Sequence, residues 1–188
     1  MSEGRPEART NGRSRRELQR HVTGEDATLA GSIDIHEASR AERDAAFALR
    51  LAVFCDEQGV PRELELDAHE DVATHVVAVA DGEVVGTLRW RPICGGARVK
   101  IERVAVAREA RGRGLGRDLM LWALGRLDAL SIRDTVLHAQ VHATAFYQRL
   151  GYAAEGEPFD EDGIEHIKMR RLHPETMDAT TTEPTAGA

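Results

Sequence analysis

Between a strand-like segment, VKIERVAV (residues 99–106), and a helix-like one, LGRDLMLWALGRLDAL (115–130), lies the run Arg111-Gly112-Arg113-Gly114-Leu115-Gly116-Arg117. A strand that enters a helix through glycines builds an anion cradle. Glycine reaches positive φ and lets the backbone approach a ligand closely. The unpaired N–H groups of the first helical turn, together with the helix dipole, direct positive charge at that ligand. Three arginines in the same run add charge-assisted hydrogen bonds to phosphate oxygens. A diphosphate suits this arrangement.

Spacing separates the possible phosphate loops. A P-loop requires GxxxxGK[ST], and the run contains no lysine. A dinucleotide fingerprint requires GxGxxG, with an acidic residue closing the next strand roughly 20 residues on. Here the third glycine comes one position early, and Asp134 precedes the next strand, TVLHAQV, instead of closing it. A dinucleotide-dependent oxidoreductase therefore fits less well. What remains is RxxGxG, filled by Arg111, Gly114 and Gly116.

The rest of the chain sets this loop in a mixed α/β domain. Residues 1–30 and 174–188 are polar and aperiodic and read as disordered tails around one domain at 31–173. In that domain SIDIHEA (32–38) reads as a strand. A helix is expected over 41–58, with Phe47, Leu51 and Phe54 on one stripe, stopped by Gly59 and Pro61. After an acidic connection, THVVAVA and EVVGTLRWR flank Asp81-Gly82, a hairpin signal. A turn at Gly95-Gly96 leads to VKIERVAV, the loop, and a helix with Leu115, Leu119, Trp122, Leu127 and Leu130 on one side. TVLHAQV, a short helix over 145–150, a break at Gly151 and two closing strands around YAAEGEP and IEHIKMRRL follow. The sum is an α/β (α+β) fold with a mixed, mostly antiparallel central sheet flanked by helices.

At 188 residues, 41% of them hydrophobic and 30% charged, the chain can bury a core. No apolar run approaches the ~20 residues of a membrane span and no signal-peptide-like region opens the chain, so a cytoplasmic location without a membrane partner is expected. A net charge of −7 argues against a nucleic-acid partner. Two cysteines, Cys55 and Cys94, give little reason for a disulfide.

The RxxGxG loop, the stretch LRLAVFCDEQGVP (with Arg50, Val53, Phe54, Glu57 and Gln58), the run AQVHATAFYQRLGY and the terminal EDGIEHIKMRR together resemble the GNAT superfamily of N-acetyltransferases, and within it the ElaA/YjcF-like group. The resemblance spans about Ile33 to Leu172. It implies the GNAT fold with a V-shaped acyl-CoA cleft, and acetyl-CoA as acyl donor co-substrate with no metal. It further implies direct acetyl transfer to an amine, either a small molecule or a protein side chain, by a monomer or homodimer. The cofactor would lie against Arg111, Gly112, Arg113, Gly114, Leu115, Gly116 and Arg117, and the amides of Val104, Ala105 and Val106 would receive the thioester. A silent acyl-CoA-binding sensor module is the alternative from another class.

Amide formation needs a base for the amine, donors for the carbonyl oxygen and a proton for the leaving thiolate. By the resemblance Tyr147 takes the last role, although it could equally pack against cofactor or core. With a free phenol near pKa 10 and a thiol near 8.5, Tyr147 serves best by holding a hydrogen bond to sulphur. Glu102 is one candidate base, if burial raises its pKa, or else an ion-pair partner for Arg89, Arg91 or Arg103. Alternation on TVLHAQV places His138, Gln140 and His142 on one face, with His142 nearest the cleft end. His138 and His142 would be roughly 13 Å apart, too far to share a metal ion. His166 and His75 are further candidates, as base or as substrate contacts. Arg50 either snorkels to the surface or reaches an acceptor carboxylate, and Glu57 adjoins that region. A covalent role for Cys94 lacks a local activating base.

Overall fold

The computed structural model describes residues 32–173. Both expected tails lie outside the described residues. The elements are β1 (Asp34–Glu37), α1 (Arg40–Arg50) continued by a π-helical segment (Leu51–Glu57), α2 (Arg62–Glu65), β2 (Thr74–Ala80) and β3 (Glu83–Ile93). They continue with β4 (Arg98–Val106), α3 (Leu115–Ala129), β5 (Asp134–Gln140), α4 (Thr144–Gln148), β6 (Ala153–Ala154), β7 (Phe159–Glu161) and β8 (Ile164–Leu172). The sheet runs β1-β2-β3-β4-β5-β8-β6, with β7 also paired to β8, and every pairing is antiparallel except β4 with β5. The mixed, mostly antiparallel sheet expected from the sequence is the observed one.

Turn chemistry sets the registers. Asp81 (φ 51°) and Gly82 (φ 82°) join β2 to β3 with both central residues left-handed, the two-residue turn that matches strand twist. Asp162 (φ 56°) and Gly163 (φ 81°) repeat the device between β7 and β8. That second hairpin replaces most of the strand expected around YAAEGEP, of which only Ala153–Ala154 pairs.

The two sheet faces differ in chemistry. Val76, Leu88, Trp90, Ile101, Leu137 and Met169 meet the buried face of α3, made of Leu115, Leu119, Met120, Ala123, Leu124 and Leu127. Trp122 stacks on Trp90 at 6.3 Å, whereas Leu130 ends up exposed beyond the helix. Gly86 brings α3 close: a Cβ there would stand 2.9 Å from Leu119 Cδ1 and 3.3 Å from Leu115 Cδ2. On the opposite face, beneath α1 and α2, the side chains are ionic. The helix expected at 41–58 turns Ala46, Arg50 and Val53 inward, and Phe47, Leu51 and Phe54 are only half-buried.

Arg50, 1% exposed, donates to Glu65 (2.5 Å) and Glu70 (2.7 Å). Arg89, equally buried, pairs with Asp67 and Glu70, each at 2.6 Å. Arg103 closes the ring through Glu65 (3.1 Å) and Leu64 O (3.1 Å). The connection that reads as an acidic surface in sequence is thus folded in as counter-charge. Arg50 neither snorkels nor enters the cleft, contrary to both expectations, because buried Glu65 and half-buried Glu70 hold it. His75 is likewise structural rather than a substrate contact: it is 4% exposed, its Nε2 donates to Glu70 O (3.0 Å), and Phe47 packs against its ring at 5.4 Å. Burial holds its pKa below the usual imidazole range.

Two outcomes follow from this packing. Gly86→Ala should destabilise the domain by roughly 1–3 kcal/mol, because Leu119 has no free space to yield; chemical denaturation measures it, and an unchanged midpoint would contradict the packing. Burial raises the carboxyls of Asp67 and Glu70, but Arg89 and Arg50 outweigh it and hold both below the ordinary range. A depressed folded pKa gives stability that is complete above the unfolded value of about 4 and is lost as pH falls below it. The melting temperature should therefore drop steeply below about pH 4, whereas His75, with its depressed folded pKa, contributes a shallower loss as pH falls below about 6.5.

Candidate active site

The parallel pairing of β4 and β5 is brief. Val99 faces Thr135, Lys100 faces Val136, and beyond them the strands part. β4 also bulges: between Glu102, opposite Arg89, and Ala105, opposite Thr87, one residue is extra, and Arg103 adopts φ 57°. A non-glycine residue in that region is strained and needs outside support, which the Glu65 and Leu64 contacts of Arg103 supply.

Past the bulge, Ala107 N donates to Val85 O at 2.9 Å, which fixes the alternation of the ladder. Ala105 then turns its amide to β3, while Val104 and Val106 direct theirs into the gap. Of the three donors expected on this strand, two face the gap and Ala105 does not.

A cavity of about 370 Å³ occupies the gap, lined by Lys100, Val104, His138, Gln140, Tyr147 and His166 among others. A second, of about 430 Å³, lies under the glycine loop against Val106, Arg111, Gly114, Leu115, Phe146 and Leu150. Val106 and Arg111 border both, so the two form one path along the loop. Gly112 (φ 78°) and Gly114 (φ 86°) need the conformation only glycine adopts freely, and Gly114 caps α3 without a side-chain acceptor on the first-turn amides. Gly116 faces Val106 and Phe146, where a Cβ would make ordinary contact at 3.7 and 3.8 Å. These are the features a diphosphate requires, and Arg117 stands exposed on the first turn.

Arg111 is engaged elsewhere. Its Nε donates to Val106 O (2.9 Å), and Nη1 and Nη2 bind the Glu57 carboxylate at 2.8 and 3.0 Å. The hydrogen bond from Arg111 also holds the Glu57 carboxyl below its ordinary pKa. Glu57 is therefore a partner of the loop, not a contact in the acceptor cavity. Its neighbour Gln58 accepts from Gln140 Nε2 at 2.8 Å, so the end of the π-helical segment touches both sides of the cleft.

Tyr147 is half-buried in the first cavity, with Phe146 at 4.9 Å and Tyr152 at 6.1 Å ring to ring. The Tyr152 hydroxyl is shared with Thr135 Oγ1 (2.9 Å), whereas that of Tyr147 has no hydrogen-bond partner among the described residues. Burial, with Tyr152 adding to it, raises the Tyr147 pKa well above the ordinary phenol value. The group stays protonated and is a hydrogen-bond donor rather than a strong acid.

Of the two readings of Glu102, as base or as ion-pair partner of a neighbouring arginine, the geometry matches the second. Burial pushes its carboxyl up, but Lys100 (2.9 Å), Arg91 (3.0 Å) and Arg89 (3.2 Å) outweigh burial and hold it below the ordinary range. His138, Gln140 and His142 do not share one strand face, because β5 ends at Gln140 and His142 sits in a 3-10 turn. His142 borders the cavity from that turn, exposed and without a hydrogen-bond partner among the described residues. His166 lies in the cavity with Nδ1 donating to Ile164 O (2.8 Å). Sequence reasoning missed Glu161, whose carboxylate meets His138 Nδ1 at 3.0 Å. The Asp162-Gly163 hairpin signal beside it is the clue that would have placed it. Cys94 (φ 51°) is exposed in the β3–β4 turn, outside the cavity.

A glycine loop under a helix, a split parallel pair and a tyrosine-lined gap define an acyl-CoA transferase architecture. The acetyltransferase (GNAT) domain model matches residues 37–173, and the chain belongs to that family. It is 38% identical over 129 residues to the uncharacterized N-acetyltransferase YjcF of Bacillus subtilis, covering 67% of this chain and 89% of that protein. The solved acyl-CoA N-acyltransferase of Pseudomonas aeruginosa is 35% identical with TM-score 0.68, over 76% of this chain and all of that one. Escherichia coli ElaA is 28% identical with TM-score 0.66, over 75% and 99%. These likenesses place the chain in the ElaA/YjcF-like group expected from its motifs.

Glu57 competes with any anion for Arg111. Glu57→Gln should accordingly tighten coenzyme A binding several-fold in calorimetry without lowering the melting temperature appreciably. An unchanged affinity would mean that Arg111 never leaves Glu57 for the cofactor.

Proposed function

We propose that the protein transfers an acetyl group directly from acetyl-CoA to a primary amine. The observation that carries this reading is the junction of the two cavities at Val106 and Arg111: the anion cradle opens directly onto the gap that holds Tyr147 and the amides of Val104 and Val106. Acetyl-CoA, as co-substrate, supplies the activated thioester. Gly112, Gly114 and Gly116 with Leu115, Arg113 and Arg117 would hold its diphosphate on the α3 amides, Arg111 joining once released from Glu57. The Val104 and Val106 amides are the fixed donors for the carbonyl oxygen as it gains charge. The Tyr147 hydroxyl, with no hydrogen-bond partner among the described residues, would donate to the sulphur as it leaves. The wall formed by β5, β7 and β8 receives the acceptor, with Gln140, His142 and His166 on it, and also accepts its proton.

Turnover on a panel of primary amines, followed by release of free thiol, tests the reaction. Turnover on at least one amine is expected; tight coenzyme A binding with none would instead favour a silent sensor module. Tyr147→Phe should lower kcat by roughly tenfold or more while the dissociation constant for coenzyme A stays put. Wild-type turnover in that variant would remove Tyr147 from the mechanism.

A further inference from the structure

We infer that His138 is the base that takes the acceptor's proton and that Glu161 positions it. This rests on the acyl-transfer reading above and names the base within the same cavity. His138 lies on β5 two residues beyond Val136, the last residue paired with β4, so alternation sets it on the Val136 face just where the gap opens. Its ring is held from two directions, by Glu161 Oε2 at 3.0 Å from Nδ1 and by the edge contact of Phe159 at 4.9 Å. An ionised carboxylate only accepts, so Nδ1 carries the hydrogen in that pair and Nε2 of the neutral ring keeps its lone pair. The hydrogen bond from His138 pulls the Glu161 carboxyl down to about 2 against the effect of burial, with Lys100 and His166 adding to it, so that carboxylate is ionised at neutral pH.

The other candidates lack this combination. Lys100, Arg91 and Arg89 hold Glu102 as a carboxylate that gains little by taking a proton. His142 has no group to orient it among the described residues. His166 is set by the Ile164 carbonyl, a dipole rather than a counter-charge for an imidazolium. Among the described residues lining the cavity, only His138 pairs an Nε2 without a hydrogen bond with a carboxylate that stabilises the charge created on proton capture.

Nε2 takes one proton from the acceptor ammonium, and the freed nitrogen pair forms the C–N bond as the C–S bond breaks. The second proton leaving nitrogen passes to the departing thiolate, which the Tyr147 hydroxyl steadies by a hydrogen bond. The imidazolium then yields its proton to solvent, so one proton is released per amide and thiol formed. The charged and titratable groups around His138 are Glu161 on β7, Lys100 on β4, and His166 and Lys168 on β8, of which Lys168 faces it in register.

The test uses the full chain, acetyl-CoA and whichever primary amine of the panel turns over fastest. His138→Ala should lower kcat on the order of 100-fold with coenzyme A affinity unchanged, and added imidazole should restore part of the rate. Glu161→Gln keeps an acceptor at Nδ1 but drops the charge. It should cost about tenfold in kcat while the KM for the amine and the coenzyme A affinity stay put, and Glu161→Asp should recover part of the loss. If His138→Ala does not fold, His138→Gln carries the same expectation for kcat and the Glu161→Gln kcat decides the base. Near wild-type kcat in the His138 variant, or in Glu161→Gln, would overturn the assignment while leaving the acyl-transfer reading intact. No turnover by the wild-type protein on any amine would overturn both.

Discussion

The short contact between β4 and β5 governs the site. Only Val99 with Thr135 and Lys100 with Val136 pair before the strands part, and a sheet that opens in its middle leaves backbone donors and acceptors without strand partners. Buried backbone groups require partners, so such a gap persists only where a ligand or solvent meets them. The amides of Val104 and Val106, the cavity of about 370 Å³ and the polar ends of β5 and β8 all follow from that divergence. A fully zipped pair would have left the glycine loop with an anion site and nowhere to carry out chemistry.

Keeping the strands apart falls to charges that are costly to bury. Arg103 sits at φ 57° in the bulge, a conformation costing on the order of 1–3 kcal/mol for a residue with a side chain. Glu65 and the Leu64 carbonyl hold Arg103, Arg50 holds Glu65, and Glu70 links Arg50 to Arg89. Apolar side chains could fill that volume at no greater loss of stability, but they could not specify the position of a guanidinium. The ionic layer is thus a positioning device, placed opposite an apolar layer of α3 that supplies most of the burial.

Much of this is legible in the sequence because it is local. Asp81-Gly82 announces its hairpin, the glycines of 112–116 announce the anion cradle, and the α3 periodicity brings Leu115, Leu119 and Leu127 to the core. What fails is whatever depends on distant partners. Arg50 amid apolar neighbours looks like a snorkelling or ligand-binding residue until Glu65 and Glu70 are folded over it. Glu57 looks like an acceptor contact until Arg111, 54 residues on, is found across from it. Alternation carries His138 and Gln140 to one face but cannot say that the strand ends before His142. The β7 strand is only three residues long, too short for a periodic signal, and Glu161 went unseen with it.

Glu102 and Glu161 show how far residue type is from role. Both are glutamates on the borders of one cavity, and both carboxyls are held below their ordinary pKa. The surroundings of Glu102 are three permanent cations, which fix its charge and leave it no reason to exchange a proton near neutral pH. Glu161 instead faces a group that can gain a charge. Its carboxylate stands 3.0 Å from that imidazole, so Coulomb attraction appears between them when a proton arrives on the ring. A carboxylate saturated by cations builds a wall; a carboxylate behind an imidazole builds a base. Which of the two a glutamate becomes is decided by neighbours brought from other strands, a property of the folded sheet rather than of any stretch of chain.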